Sequence, residues 1–374
     1  MHLLYGVVGE GMGHATRSRV VIEHLLAQGH RLRVVVSGRA ERFLADVFRD
    51  RDGIDVHGIE GFSLAIDGEG IDLSETILQN LELMPARLRR NLVTYSQIVD
   101  TGFAPDAVIS DFESWAWCYG VNHRLPVISI DNMHVLDRCE HPDRIAERDD
   151  PDFLLAKAAV KVKLPGAYHY LVTSFFFPPV RKRRTTLVPP ILRPQVVDAQ
   201  REPGEHVLVY QTAASNKRLV PLLKRLPGTF RVYGMDRKGD DGNVTFRPFS
   251  EVGFLDDLRT ARAAIATGGF TLMSEAVHLG VPLLAVPLDG QFEQELNCRW
   301  LARLGYGRWT PSLEEDGVRR FLEDVPRFAE ALRGYPRQGN GLVLSCLDEL
   351  LDCVAADLDP PDRLQTEALG TWEE

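Results

Sequence analysis

The chain has 374 residues, 44% apolar and 26% charged, an ordinary balance for a globular protein with room for two or three cores. Its net charge of −10, from 43 basic against 53 acidic residues, argues against a general nucleic-acid binder, which needs a basic footprint. The five cysteines (Cys118, Cys139, Cys298, Cys346, Cys353) are scattered without a C-x-x-C pair, so neither a disulfide framework nor a zinc site is suggested, and a reducing cytoplasm fits best.

Residues 2–8 read as a buried strand, 9–14 as a glycine-bearing loop, 15–28 as a helix closed by Gly29, and 32–37 as a second strand. Strand, glycine loop, helix and strand in that order open a doubly wound α/β domain. A helix over 39–48 and a short strand over 54–59 follow. Residues 63–70 read as a polar loop, and 73–99 as a long helical stretch interrupted near Pro85. Short strands over 107–110 and 127–130 deliver Asp111 and Asp131, and residues 168–177 read as the last strand of the first half. Pro189, Pro190 and Pro194 cannot continue helix or sheet, which places the interdomain linker in or just after residues 188–194.

The second half restarts the pattern. Strands are expected at 206–210, 230–234, 244–246, 263–266 and 281–286, with a polar loop over 211–216 and a helix over 217–226. Residues 342–354 are amphipathic. The expected organisation is therefore an α/β domain over 1–194, a second over 195–356, and an acidic, weakly ordered tail over 357–374. The chain opens without a signal-peptide n-region, and no stretch approaches the roughly 18 uninterrupted apolar residues of a membrane span, so a soluble or at most peripheral protein is expected.

The glycines near the N-terminus do not fit a dinucleotide fingerprint. Their spacing is Gly9-x-Gly11-x-Gly13, His14 occupies the slot of the third glycine, and Ser37-Gly38-Arg39 stands where an acidic residue should follow the second strand. His14 itself lies at the carboxyl edge of the first strand, where open α/β sheets place ligands, and a neutral imidazole can take a proton there. Asp111, from another strand of the same sheet, can hold that imidazole in one tautomer. A helix-capping role is the alternative for each of the two.

In the second half, the strand over 263–266 runs into Thr267-Gly268-Gly269-Phe270-Thr271 and a helix carrying Glu275 one turn in. Adjacent glycines let a backbone approach a ligand, and a helix N-terminus favours an anion such as phosphate. Gly280-Val281-Pro282 and Glu293-Gln294-Glu295-Leu296-Asn297 follow.

On these residues the chain resembles the nucleotide-sugar glycosyltransferases of the two-domain GT-B fold, specifically the MurG-type and UDP-glucuronosyl/glucosyltransferase families. The resemblance covers nearly the full length and is most specific in the C-terminal part. It implies two facing Rossmann-like domains with a donor and acceptor cleft between them. It also implies inverting transfer of a hexose from a nucleotide diphosphate sugar, UDP favoured over dTDP, to a hydroxyl or amine of a small molecule or lipid-linked glycan.

By that resemblance, His14 is the base and Asp111 its orienter. Gly268, Gly269, Phe270 and Thr271 meet the donor diphosphate, Glu275 the ribose, Glu293 and Gln294 the hexose, and Phe249 or Phe254 the base of the nucleotide. No metal and no cofactor beyond the nucleotide-sugar co-substrate are implied. Relatives carry His or Arg where this chain has Thr267.

The acceptor is expected along the first half, where Gly11, Gly13, Glu113, Trp115, Asn132 and His134 all fall at predicted strand ends. A capped helix or packed aromatic is the alternative for Glu113, Trp115, Asn132 and His134, and His134 is a second candidate base. Residues 175–179, with three phenylalanines and two prolines beside the basic run Arg181-Lys182-Arg183-Arg184, read either as a peripheral membrane contact or as a solvated face. A sugar-nucleotide epimerase of the same fold and a non-catalytic sugar-nucleotide-binding protein are the rival readings.

Overall fold

The structure is a computed structural model and describes residues 1–9, 11–61, 66–67, 70–71, 84–210 and 218–365. The strands are β1 (His2–Val7), β2 (Arg31–Ser37), β3 (Ile54–Ile59), β4 (Ile66–Asp67), β5 (Gly70–Ile71), β6 (Ala107–Asp111), β7 (Val127–Asp131), β8 (His169–Thr173) and β9 (Thr185–Val188) in the first half. The second half has β10 (His206–Tyr210), β11 (Thr229–Tyr233), β12 (Gly239–Asp241), β13 (Val244–Phe246), β14 (Ala263–Ala266), β15 (Leu283–Ala285) and β16 (Gly307–Trp309). The helices are α1 (Met12–Ala27), α2 (Gly38–Val47), α3 (Met84–Asp100), α4 (Ser114–Asn122), α5 (Val135–Arg138), α6 (Pro151–Lys163) and α7 (Pro194–Val197). They continue with α8 (Leu219–Lys224), α9 (Glu251–Thr260), α10 (Phe270–Leu279), α11 (Phe292–Arg303), α12 (Glu315–Arg333) and α13 (Gly341–Ala355).

Two seven-stranded sheets carry the fold. The first runs β3-β2-β1-β6-β7-β8-β9 with every neighbouring pair parallel. The second runs β12-β13-β11-β10-β14-β15-β16 and is parallel except at its β12 edge. In both, the strand order reverses beside the first strand of the half, which is the switch point where α/β sheets open a crevice. The switch strands are apolar on both faces, as buried parallel strands require: Leu3, Leu4, Val7, Val108 and Ile109 in the first sheet, and Leu208, Ala263 and Ala264 in the second, are inaccessible. This is the GT-B architecture.

The halves share one apolar seam. Phe175 stacks near Phe270 at 6.1 Å between ring centroids, and Phe176 lies flat against Trp300 at 5.0 Å. That geometry corrects the membrane-patch expectation, because Phe175 and Phe176 are buried between the domains rather than offered to a lipid surface. Two members of the adjoining basic run are also engaged, Lys182 with Asp137 and Arg183 with Asp362. The strand expected to reach residue 177 ends at Thr173, where Ser174 turns the chain by accepting from Phe176 N at 3.1 Å. A further edge strand, β9, then precedes the prolines.

The C-terminal segment does not stay with the second half. The α13 stripe Val343, Cys346, Leu347, Leu350 and Leu351 packs into the same core as Val21, Leu25 and Leu171 of the first half, and His24 Nε2 meets Asp348 at 2.8 Å. The boundary expected at residue 356 is corrected accordingly, since residues 341–355 cross back. The tail expectation is corrected over 357–365. Thr185 N donates to Asp362 O at 3.1 Å, Leu364 N donates to Thr186 Oγ1 at 2.9 Å, and Leu364 is buried, so this stretch covers the β9 edge. Residues 366–374 lie outside the described residues, as do the loop expected at 211–216 and most of 63–83.

No helix among the described residues is long and apolar enough to cross a membrane, and no group of three or more His, Cys, Asp or Glu side chains among them is arranged to hold a metal.

Candidate active site

Three strand ends build the first wall. Val7 of β1 registers with Asp111 of β6, so the loop after β1 and the carboxylate at the end of β6 sit side by side. α1 starts directly after that loop and places His14 and Arg17 on one face, three residues apart. β7 contributes Asp131, followed by Asn132. Phe112, directly after Asp111, adopts the left-handed region at φ 54°, a strained conformation for an aromatic residue.

His14 Nδ1 lies 2.9 Å from Asp111 Oδ1, with His14 20% exposed and Asp111 inaccessible. Arg17, which no sequence motif singled out, is buried beneath them. Its Nε donates to Asp111 Oδ2 at 2.9 Å, its Nη2 pairs with Asp111 Oδ1, and its Nη1 donates to Asn132 Oδ1 at 2.6 Å. Ser18 Oγ completes the carboxylate's shell at 2.9 Å. Burial alone would raise the Asp111 pKa, but the Arg17 and His14 charges outweigh it and hold the carboxyl well below its usual range. For His14, burial and then Arg17 depress the pKa below 6.5, and Asp111 only partly offsets them, so the ring is neutral at physiological pH.

Arg17 Nη2 also stands 2.6 Å from His14 Nδ1. Guanidinium is only a donor, so Nδ1 either accepts from Arg17 or carries a proton for Asp111. The second tautomer leaves Nε2 without a proton and basic.

The second wall begins at the end of β14. Gly269 is the N-cap of α10 with no side-chain hydrogen bond to the helix, and Gly11 at the start of α1 is likewise without one. The two N-termini, whose glycine N-caps supply no side-chain hydrogen bond, converge: a Cβ on Gly13 would lie 2.4 Å from Thr271 Oγ1, so a larger residue there would force Thr271 to shift. Gly268 is required for a different reason. A Cβ there would sit 2.5 Å from Gln294 O and 2.8 Å from Cys298 Sγ, so its small size lets α11 pack against the loop. Asn297 reinforces that packing by donating to Gly268 O at 3.1 Å.

Glu275 and Glu293 border the same region. Glu275 is buried and gripped by Arg193, at 2.7 Å from Nε and 2.8 Å from Nη2. Arg193 comes from the proline-rich linker and was not singled out in the sequence. Glu293 Oε1 accepts from Asn132 Nδ2 at 2.8 Å across the domains and from Asn297 Nδ2 at 2.7 Å. Burial pushes its pKa up to about 7, despite the lowering effect of these hydrogen bonds and of Arg17. His14, Asp111, Arg17, Asn132 and Glu293 thus form one continuous polar chain spanning the cleft.

The structure moves several expected residues out of it. Glu113 caps α4, accepting from Trp115 N at 2.9 Å and Ala116 N at 2.7 Å, so its carboxylate serves the helix. Trp115 stacks on Tyr119 at 5.9 Å and belongs to the cluster packed with Ile98 and Val108. His134 is buried and tied to Asp131 Oδ2 at 2.8 Å, beneath Phe112 and Tyr170, which removes it as a base. Gln294 is also buried, accepting from Leu288 N at 3.2 Å and donating to Gln291, so it braces the loop before α11. Phe254 lies in the core against Tyr210 and Tyr233, leaving exposed Phe249 as the aromatic that can meet a base. Phe270 packs its ring into the seam and offers only its backbone to an anion.

Comparison with known proteins agrees with the fold. An uncharacterized glycosyltransferase of Methanosarcina mazei is 25% identical over 363 residues, covering 87% of this chain and 90% of its own. The crystal structure of Acinetobacter baumannii MurG superposes with a TM-score of 0.58 at 16% identity, covering 93% of this chain and 99% of that one. A UDP-glucosyltransferase from Polygonum tinctorium capable of glucosylating indoxyl gives 0.63 at 16% identity, covering 95% and 98%. Glycosyl transferase family 1 matches residues 1–326, and the chain belongs to that family.

Proposed function

We propose that this glycosyltransferase moves a hexose from a nucleoside diphosphate sugar, UDP-linked in preference to dTDP-linked, to a hydroxyl or amine of a small-molecule or lipid-linked acceptor, with inversion at the anomeric carbon. The observation that carries the reading is the convergence of two helix N-termini without side-chain caps, Gly11–Met12 of α1 and Gly269–Phe270 of α10, beside the neutral His14. Oriented N–H groups and helix dipoles favour a diphosphate and stabilise it further as it leaves. Arg193 is the nearby cation suited to the role that Thr267 cannot fill.

In the proposed step the acceptor oxygen or nitrogen forms its bond to the anomeric carbon while the bond from that carbon to the diphosphate oxygen breaks. The acceptor proton passes to His14 Nε2, and the nucleoside diphosphate leaves with both electrons of the broken bond. Asp111 positions the ring through Nδ1 and stabilises the imidazolium. Glu275 would bind the ribose once Arg193 swings from it to the diphosphate, and Glu293 would accept from hexose hydroxyls. A UDP-glucosyltransferase of the same fold supports the choice of nucleotide.

A panel of nucleoside diphosphates tests the donor half by thermal stabilisation, which reaches about 2.7 kcal/mol at a ligand concentration 100 times Kd. His14→Ala should abolish transfer and leave UDP binding within a few-fold. Transfer that survives this change would show that His14 is not the base.

A further inference from the structure

We infer that the chain carries a second anion site, distinct from the donor cleft, in the cavity between the linker and the C-terminal end of α10, and that it takes the phosphate of a small phosphorylated molecule. The cavity has a volume of about 330 Å³ and is lined by Val197, Gln200, Arg201, His278, Arg337 and their neighbours, with no acidic residue among the described lining. A bare ion would not fill it, and small-molecule sites begin at about this size.

Three cationic or proton-binding side chains, Arg201, His278 and Arg337, line this space. His278 is 7% exposed, and its Nδ1 is buried without a hydrogen-bond partner among the described residues, while the ring is held by the Val197 backbone. Arg201 uses Nη1 on Arg259 O at 2.6 Å, but its buried Nε has no hydrogen-bond partner among the described residues. Arg337 faces Arg201, and the like charge adds to burial in pulling the Arg201 pKa down to about 10. Burial and then Arg337 also lower the His278 pKa. Two guanidinium groups held together without a carboxylate destabilise each other, and a dianion relieves both. Such an ion also favours protonated His278, whose Nδ1–H then becomes a donor to it.

The cavity is separate from the proposed diphosphate position. His278 is nine residues beyond Gly269, roughly 13 Å along the helix axis. Glu275, one turn before His278, is already taken by Arg193.

Sulfate is a suitable first probe, because its charge is constant over pH 6–8. Calorimetric titration should show a sulfate site whose affinity drops about tenfold in Arg337→Gln and further in Arg201→Gln. Affinity should rise as pH falls from 8 to 6, and His278→Gln should flatten that dependence. UDP binding should stay unchanged in Arg337→Gln, an exposed position where misfolding is not expected. Soaking crystals with selenate should give an anomalous peak between Arg201, His278 and Arg337. A hexose phosphate binding more tightly than inorganic phosphate supports a phosphorylated small molecule as the ligand, and equal affinities overturn that assignment. Selenate found only at the start of α10, or sulfate affinity equal in wild type and Arg337→Gln, overturns the site.

Discussion

Replacing Arg17 by Met tests whether the cation beneath His14 sets the working pH of the proposed base. In the native protein Arg17 closes two contacts on Asp111 and one on Asn132, all buried. Removing one partner of such a pair strands the other charge and costs about 3–5 kcal/mol, with the Asn132 bond adding about 1 kcal/mol. Urea denaturation should register a loss of that order. A domain stability of about 5–15 kcal/mol tolerates it only in the upper part of the range, so folding must be confirmed first.

The catalytic consequence has a definite sign. The base must be neutral, so kcat/KM falls as pH drops below the His14 pKa. Burial and Arg17 hold that pKa below 6.5, which puts the native acid limb below the usual histidine range. Arg17 Nη2 is 2.6 Å from Nδ1, close enough for its positive charge to disfavour the protonated ring even with strong dielectric screening. The acid limb of Arg17→Met should therefore move to higher pH. Arg17→Lys keeps the charge and should retain most of the native limb position while losing the paired geometry. The reasoning is refuted if the limb of Arg17→Met coincides with that of the wild type, or if the Lys and Met variants move it equally.

Other residues give independent tests. Glu293 has its pKa raised to about 7, so ionising it costs the native state increasingly from its unfolded value near 4.5 up to about 7. Glu293→Gln retains the accepting Oε1, and its stability relative to wild type should rise between pH 5 and pH 8 in chemical denaturation. Arg193→Met frees the buried Glu275 carboxylate, and UDP affinity should fall by about tenfold or more in calorimetry if Arg193 serves the diphosphate. Leu347→Ala removes a fully buried side chain where α13 meets the first-half core and should cost about 2–5 kcal/mol in denaturant unfolding. Gly13→Val should block the approach of α1 to Thr271 and cut transfer at least tenfold at saturating donor, read in a product assay.

Much of the fold was open to a reading of local pattern. Apolar runs bounded by glycine and proline located the switch strands β1, β6, β10 and β14 within a residue or two, because buried parallel strands are continuous in sequence. Edges were harder to read. β9, β12 and β16 are three or four residues long, and Thr185, Thr186, Gly239 and Asp240 carry no apolar signal. The amphipathic stripe of α13 was visible, but a stripe records only that something covers it. Which half supplies that cover is a long-range fact, seen here in the pairing of His24 with Asp348 across 324 residues.

The site divides along the same line. Gly11, Gly13, His14, Gly269 and Thr271 were legible because a helix N-terminus is a local event, written in adjacent residues. Arg17 and Arg193 were not, because each is defined by a carboxylate 94 or 82 residues away. A buried carboxylate is costly unless a cation or several donors meet it, so Asp111 and Glu275, once singled out, each called for a cation that local pattern could not name. A search for such partners had one usable clue at Arg17, which sits three residues after His14 on the same helical face. At Arg193 even that clue was missing, since a linker has no face. The same constraint explains Glu113 and His134. Both are ionisable residues at strand ends, as Asp111 is, but their partners lie within three residues, at Ala116 and Asp131. A carboxylate or imidazole satisfied so locally closes a turn or caps a helix, whereas the His14–Asp111 pair joins α1 to β6 and is held there by Arg17. At the His14–Asp111 pair it is the reach of the buried charge's partner, more than its place at a strand end, that sets it apart from Glu113 and His134.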